Sequence, residues 1–159
     1  MRQLKIIICF LIMMGAVVGL KAQKTYTSEQ KQFQNSVMAH LRAEGFIPSI
    51  DEDGDITFKA EGISYWIVIE DSSPFYVRFF RFGSWPEGRS ERSVLSACNH
   101  VTKEVKSVKA IMYNETSKAV SLRVENYHHS AKSFTDTFSR NLRVLKYASE
   151  KLKEYYDEH

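Results

Sequence analysis

The sequence predicts an α+β domain in which helices pack on an antiparallel sheet. Three observations favour this class. Three separate segments have helical periodicity, four strand-like segments follow one another with no helix between them, and the connections within that group are short. The predicted order is helix, four strands, helix, two strands, helix. A parallel doubly wound sheet is disfavoured, because it requires strands and helices to alternate along the chain.

The first helix is predicted over Ser28–Glu44. Its apolar residues recur every four positions, as one buried face of a helix requires: Phe33, Val37 and Leu41. Thr27 or Ser28 can cap its start, because a hydroxyl accepts a hydrogen bond from a free backbone N–H there. Gly45 ends it, since glycine readily adopts the left-handed conformation that follows many helices.

Two further segments have the same period. The second helix begins near Ser90 and has about 15 residues, judged from its apolar spacing. The third runs from roughly Ala131 to Tyr155. The apolar positions are Val94, Cys98, Val101 and Val105 in the second helix, and Phe134, Phe138, Leu142, Leu145, Leu152 and Tyr156 on the face of the third.

Six segments are rich in strand-forming residues. FIPSI, DITFKA, ISYWIVIE and FYVRFFRF precede the second helix, and VKAIMY and AVSLRVEN follow it. Turn signals separate the first four, which predicts an antiparallel meander. In ISYWIVIE, Tyr65 and Ile67 alternate with Trp66 and Val68, so the two sets point to opposite faces of the sheet.

Large side chains occupy both alternating sets of the aromatic strands. Tyr65 and Phe79 share one set, and the other includes aromatic residues with Arg78 and Arg81 beside them. Helices that cover one side of a sheet bury only one face, and Trp, Tyr and Arg dominate interface energetics. The sequence therefore predicts a protein-binding or dimer surface, unless both faces are covered within the monomer. The predicted binding residues are Trp66, Tyr76, Arg78, Phe80 and Phe82.

The stretch SIDEDGDITF raises the question of a calcium loop. Asp51, Asp53 and Asp55 alternate around Gly54, as in the first half of an EF-hand loop. The twelfth position, however, is Ala60 rather than a bidentate glutamate, and no helical pattern adjoins the loop. Asp-Gly between alternating apolar residues is a strong hairpin signal. We therefore expect a turn between two strands and no metal or cofactor site.

Other candidate sites have simpler structural explanations. Cys98 could be a nucleophile beside His100, but it falls on an apolar helix face, where a free cysteine acts as a small buried hydrophobe. Adjacent histidines at 128 and 129 point apart in extended chain and have no partner at metal spacing. Arg89 and Arg92 flank a helix start that Ser90 can cap. No catalytic signature is present, so no catalytic residue is predicted.

The first residues, MRQLKIIICFLIMMGAVVGLKAQ, have the form of a secretory signal peptide. Arg2 and Lys5 precede an apolar run that is shorter than the ~20 residues of a membrane-spanning helix. Cleavage after Ala22 predicts a signal peptide over residues 1–22 and a single domain over residues 23–159. We expect an exported protein, periplasmic or secreted, that does not contact the membrane after cleavage.

Removal of this segment also removes the excess of positive charge. The whole chain has 22 basic and 19 acidic side chains; residues 1–22 contain three basic ones and no acid, which leaves 19 of each. The net charge of the domain thus gives no reason to expect a nucleic-acid partner, and none is predicted. Only Cys98 remains, so an internal disulfide is excluded.

Several strings together resemble the YbjN family of small bacterial proteins, within the type III secretion chaperone-like fold. They are LRAEGFIPSIDEDGDITFKAEGISYWIVI, LSACNHVTKEVKSVKAIMY and the long closing helix, and the similarity extends from about Phe33 to Tyr155. The resemblance implies an α+β domain, often dimeric, that either binds polypeptides or has a regulatory role. Secretion chaperones act in the cytoplasm, whereas this chain begins with an export signal, so that particular role does not carry over.

The sequence thus leads to one functional expectation and one alternative. The expectation is an exported, non-enzymatic protein-binding or regulatory module that acts through the aromatic sheet face or a groove beside the third helix. Its partner would be another protein or a second copy of itself. The alternative is a periplasmic sensor of a small molecule or an ion, with the acidic turn or the Arg89 and Arg92 helix start as its site.

Overall fold

The computed structural model describes residues 26–70, 74–113 and 118–159, and the predicted signal peptide over residues 1–22 lies outside them. Within these ranges the chain forms three helices and one six-stranded sheet. The helices are α1 (Ser28–Ala43), α2 (Glu91–Glu104) and α3 (Ala131–Glu158). The strands are β1 (Ser49–Ile50), β2 (Ile56–Ala60), β3 (Ile63–Glu70), β4 (Phe75–Gly83), β5 (Lys109–Tyr113) and β6 (Ala119–His128).

The sheet is antiparallel throughout, with the strand order β1-β2-β3-β4-β6-β5. The predicted α+β class and the predicted order of elements are confirmed. The first four strands form a meander, while the last strand in the chain pairs with β4 and leaves β5 at the edge. The β4–β6 pair is the longest, and it extends from Phe75 opposite His128 to Gly83 opposite Val120.

The hairpin turns follow from local backbone preferences. Glu61 and Gly62 both have positive φ, as a two-residue turn between right-twisted strands requires. In the acidic turn, the Asp51 N–H donates to the Asp55 carbonyl, and Gly54 has a φ of 87°. The predicted strand–turn–strand geometry of SIDEDGDITF is therefore confirmed.

The helices lie together on one face of the sheet and form the core with it. The alternate residues Tyr65, Ile67 and Ile69 of β3 are fully buried there. From α3, Phe138 stacks on Phe79 of β4, with ring centroids 5.5 Å apart and an angle of 16° between the planes. The same ring contacts Phe58 at 5.7 Å, so a single aromatic side chain joins α3 to β2 and β4.

The helix ends agree closely with the sequence signals. Thr27 caps α1, and Gln30 completes a capping box with it. The chain leaves α1 in a Schellman motif: Gly45 N–H donates to the Arg42 carbonyl, and Phe46 N–H donates to the Leu41 carbonyl. Ser90 caps α2 through a hydrogen bond from Ser93 N–H, as predicted.

Element lengths differ from the prediction where a local feature intervenes. The segment FIPSI forms a strand over Ser49–Ile50 only, because Pro48 has no N–H to donate to a strand ladder. Ile47, just before it, is 91% exposed. The strand β6 continues to His128, since β4 supplies pairing partners for the additional residues. The helix α3 continues to Glu158.

Within the described ranges, none of the helices combines the length and the apolar character needed to cross a lipid bilayer.

Replacement of Phe138 with Ala tests the importance of this aromatic contact. We expect the free energy of unfolding to fall by about 3–5 kcal/mol, because the change leaves a cavity where α3 meets β2 and β4. Tyr147→Ala, at a half-exposed position of the same helix, is the matched control and should change it by about 0.5 kcal/mol or less. Urea denaturation measures both, and equal losses in the two variants would contradict the assignment of Phe138 to the core.

Candidate functional site

The face of the sheet opposite the helices is the candidate functional site, and we call it the open face. Strand alternation directs one residue in two towards it, and the observed register brings those residues into rows across β3, β4, β6 and β5. None of the helices in the described ranges packs on it. Phe82, Tyr113 and Tyr127 on this face are all more than one-third exposed.

Three rings on β3 and β4 form an aromatic cluster, consisting of Trp66, Phe80 and Phe82. Trp66 lies directly opposite Phe80 in the register, and the two rings stack with centroids 5.6 Å apart and planes 13° apart. Phe82 packs edge-on against both, at 5.3 Å from Trp66 and 5.7 Å from Phe80. The stacked pair is therefore held in one orientation, with Phe82 exposed at its side.

A polar network lies beside the aromatic cluster and centres on Glu125 of β6. Its carboxylate accepts hydrogen bonds from the Tyr76 hydroxyl at 2.8 Å and from Arg123 Nη1 at 3.2 Å. The Lys109 ammonium donates to the same carboxylate, and Arg123 also donates to the Tyr113 hydroxyl. The Arg123 guanidinium lies 6.0 Å from the centre of the Phe80 ring, which connects the network to the cluster.

The network fixes the charge state of Glu125. Burial by itself raises the pKa of a carboxyl group, but the hydrogen bonds from Lys109, Tyr76 and Arg123 outweigh it, so the pKa of Glu125 lies below its ordinary value. Burial and the hydrogen bond to Glu125 raise the pKa of Tyr76. The hydrogen bond to Glu125 raises the pKa of Lys109. Near neutral pH, the network therefore consists of a carboxylate held by cations and by a neutral phenol.

A second ion pair lies at the other end of β3. Arg78 donates a hydrogen bond to the carboxylate of Glu70. In the register of β3 and β4, Arg78 lies opposite Val68, and Glu70 is two residues further along β3. The Nε of Arg78 is buried and has no hydrogen-bond partner within the described residues.

The structure places all five predicted binding residues, Trp66, Tyr76, Arg78, Phe80 and Phe82, on the open face. Arg81 is different: it alternates to the helix side of β4, where its guanidinium lies 5.7 Å from the centre of the Tyr65 ring. The expectation that Arg81 lies beside the aromatic face is therefore wrong, because odd-numbered residues of β4 point to the core.

Sequence reasoning missed the contribution of β5 and β6 to this face. Lys109, Arg123 and Glu125 form the polar network, yet only the pairing of β6 with β4 brings them next to Tyr76 and Phe80. The alternation in AVSLRVEN did indicate that Arg123 and Glu125 share one face. The sequence pattern did not indicate that β4 is the neighbour of β6.

The other candidate positions have structural roles. The Asp51 carboxylate accepts hydrogen bonds from the N–H groups of Asp53 and Asp55, and Asp55 accepts one from the Tyr26 hydroxyl. Across residues 26–70, 74–113 and 118–159, no group of three or more His, Cys, Asp or Glu side chains is arranged to hold a metal ion. Arg89, next to the α2 cap, donates to the Tyr156 carbonyl.

Cys98 and His128 are both buried, which decides their chemistry. Burial raises the pKa of Cys98 to about 11, so the thiol is protonated at neutral pH and is a poor nucleophile. Burial lowers the pKa of His128, whose ring packs edge-on against Phe134 at 5.4 Å. The prediction that Cys98 belongs to the core is confirmed.

Comparison with known proteins found no family model, no curated protein and no solved structure that matches this chain. The resemblance to the YbjN family stays a prediction.

Glu125→Gln tests whether the polar network stabilises the fold through its charge. At pH 7 we expect a loss of about 1–3 kcal/mol in the free energy of unfolding, because Arg123 is then left buried without its counter-ion. A lowered pKa means that this stabilisation is present above the ordinary value of 4.5 and is lost as the pH falls through the lower folded value. The difference between the two proteins should therefore shrink towards pH 3.

Denaturation at pH 7 and pH 3 measures this difference, and Glu61→Gln is its control. Glu61 also forms an ion pair, with Lys146, but its side chain is mostly exposed, so its loss should cost less than about 1 kcal/mol. A difference between wild-type protein and Glu125→Gln that is the same at both pH values would show that the charge of Glu125 is not responsible.

Proposed function

We propose that this protein is an exported, non-enzymatic binding module whose open face docks against another polypeptide. We further propose that this polypeptide is a second copy of the same chain. The observation that carries the proposal is the open face itself: a six-stranded sheet with a fixed aromatic cluster and no helix on that side within the described residues. The signal-like first residues support export, and the buried, protonated Cys98 removes the one cysteine of the domain as a nucleophile.

The size of the open face supports a protein partner. Strands lie about 4.8 Å apart and rise about 3.3 Å per residue, so the six strands, which have two to ten residues each, present on the order of 600 Å². Each partner in a typical stable complex buries about 800 Å². A small molecule would cover only a fraction of this area.

The distribution of charge supports self-association. A two-fold interface places the same patch on both sides, so unpaired charges of one sign near its centre would repel each other. On this face Arg78 is paired with Glu70, while Lys109 and Arg123 share Glu125. The one excess cation, Lys109, lies on the edge strand β5 with its side chain 61% exposed, so its ammonium group can stay in solvent while two copies bring their aromatic clusters together.

A second candidate function is a sensor of a small molecule, favoured by a cleft of about 520 Å³ on the helix side of the sheet, whose lining includes Tyr65, Arg81 and Lys146. An ion sensor at the acidic turn has less support, because the Asp51 carboxylate already accepts two backbone hydrogen bonds.

Phe82→Asp tests the dimer directly. Static light scattering over about 1–100 µM should show a dimer for the chain that begins at Gln23, and a monomer for the variant, because the new carboxylate would be buried in an apolar contact. Leu95→Asp is the matched control: Leu95 is 48% exposed, close to the 44% of Phe82, but it lies on α2. That variant should remain a dimer.

The outcomes separate the possible partners. Melting temperatures that agree within about 2 °C would show that both variants fold. A monomeric wild type that captures a different envelope protein, with capture lost only in Phe82→Asp, would overturn self-association and assign the face to that protein. The role of the open face would be overturned by either of two results. One is a monomeric wild type that captures no protein in a way that depends on Phe82, and the other is a dimer that persists in Phe82→Asp.

A further inference from the structure

A cleft of about 520 Å³ lies on the helix side of the sheet, between the start of β3, the end of β4 and the second half of α3. Because β3 and β4 are antiparallel, the start of β3 and the end of β4 lie at the same end of the sheet. There Ile63, Arg81 and Pro86 form one wall, and Lys146 and Glu150 of α3 contribute to the other. The aromatic cluster is on the opposite side of the sheet, so this cleft is a separate feature.

Tyr65 contributes a hydroxyl group that has no partner. Its side chain is fully buried, it lines the cleft, and its oxygen makes no hydrogen bond within the described residues. Buried tyrosine hydroxyls usually find a partner, because an unsatisfied donor in the interior is destabilising. An unsatisfied hydroxyl at the base of a cleft is a group that a bound ligand can satisfy.

Arg81 contributes a charge that is also unpaired. Its guanidinium lies over the Tyr65 ring, 5.7 Å from the centroid, and its Nε donates to the Phe82 carbonyl at 3.3 Å. No carboxylate in the described part of the chain pairs with it. The two Nη groups are therefore available for a ligand, next to the ring that bears the unpartnered hydroxyl.

The neighbouring lysines differ from Arg81 because each has its own counter-ion. Lys146 pairs with Glu61 at 2.5 Å, and Lys153 pairs with Asp157 at 2.5 Å. The remaining acidic residue of the lining, Glu150, forms no ion pair within the described ranges. The cleft thus contains one unpaired cation, the Arg81 guanidinium, and one unpaired carboxylate, Glu150, which disfavours a highly charged anion. The other charges of the lining are balanced in ion pairs.

We propose that this cleft binds a small organic molecule with a single carboxylate, which accepts hydrogen bonds from the Nη groups of Arg81 and from the Tyr65 hydroxyl. The planar guanidinium matches a carboxylate in a bidentate geometry. A phosphate dianion fits less well, because the cleft supplies one unpaired cation and Glu150 repels additional negative charge. The side chains of Ile63 and Pro86 offer apolar contact for the rest of the ligand.

An NMR titration of the chain that begins at Gln23 tests this inference. The probes are butyrate, benzoate and L-phenylalanine, with benzamide as the uncharged counterpart of benzoate and inorganic phosphate as the dianion. We expect at least one carboxylate to bind with a dissociation constant below about 10 mM and to shift amide signals of Arg81 and of α3 near Lys146. Benzamide and phosphate should bind at least about tenfold more weakly. Benzamide lacks the negative charge that pairs with Arg81, and phosphate lacks the planar shape and single charge of a carboxylate.

Two variants separate binding from folding. Arg81→Gln should weaken carboxylate binding about tenfold or more, whereas Arg92→Gln, at an exposed position of α2, should leave it unchanged. Tyr65→Phe should weaken binding and also raise the melting temperature without ligand, because it removes a buried hydroxyl that lacks a partner. A purely structural tyrosine would not give this combination of effects.

Several results would overturn the inference. They are the absence of binding by all three carboxylates, equal binding of benzamide and benzoate, stronger binding of phosphate, or unchanged affinity in a folded Arg81→Gln or Tyr65→Phe protein. None of these results bears on the dimer, which is measured by light scattering and depends on the other face of the sheet. Failure of one proposal therefore leaves the other intact.

Discussion

The register between β4 and β6 is the constraint on which the rest of the structure depends. Nine residue pairs, from Phe75 opposite His128 to Gly83 opposite Val120, join the meander to the second half of the chain. The side-chain period of a strand is two, so a slip of one residue would exchange the faces of an entire strand. It would move Leu122 and Val124 out of the core and bring Arg123 into it. The slipped register is therefore strongly destabilised, because it buries a charge without its partner.

The same register determines the composition of the open face. It sets Phe80 opposite Arg123 and Arg78 opposite Glu125, so that aromatic and charged residues from distant parts of the sequence become neighbours. Glu125 then receives hydrogen bonds from β4, β5 and β6 at once. A charge network that involves three strands opposes slippage of any one of them, and it therefore supports the register that created it.

The two faces of β4 lead to two different kinds of surface. Phe80 and Phe82 belong to the aromatic cluster, whereas Arg81, between them in sequence, lies over Tyr65 on the helix side. On that side α3 approaches closely: a Cβ atom at Gly83 would lie 2.6 Å from Leu152 Cδ2. At Gly83, α3 packs directly against the sheet. The nearby residues Arg81 and Ser84 line the cleft. A broad, flat face suits a protein partner, and a narrow recess with one free cation suits a small anion.

The sequence by itself determined the local features, because these depend on residues close together in the chain. The helix caps at Thr27 and Ser90, the end of α1 at Gly45, the alternation along β3 and β4 and the burial of Cys98 all follow from short-range patterns. That alternation also placed Trp66, Tyr76, Arg78, Phe80 and Phe82 in one set. Only the tertiary structure decided which strands are neighbours, and with them the partners of Glu125, the contact between Arg81 and the Tyr65 ring, and the unpartnered hydroxyl of Tyr65. The pairing of β4 with β6 joins residues 37 to 53 positions apart, and no local pattern of hydrophobicity or turn residues specifies such a contact.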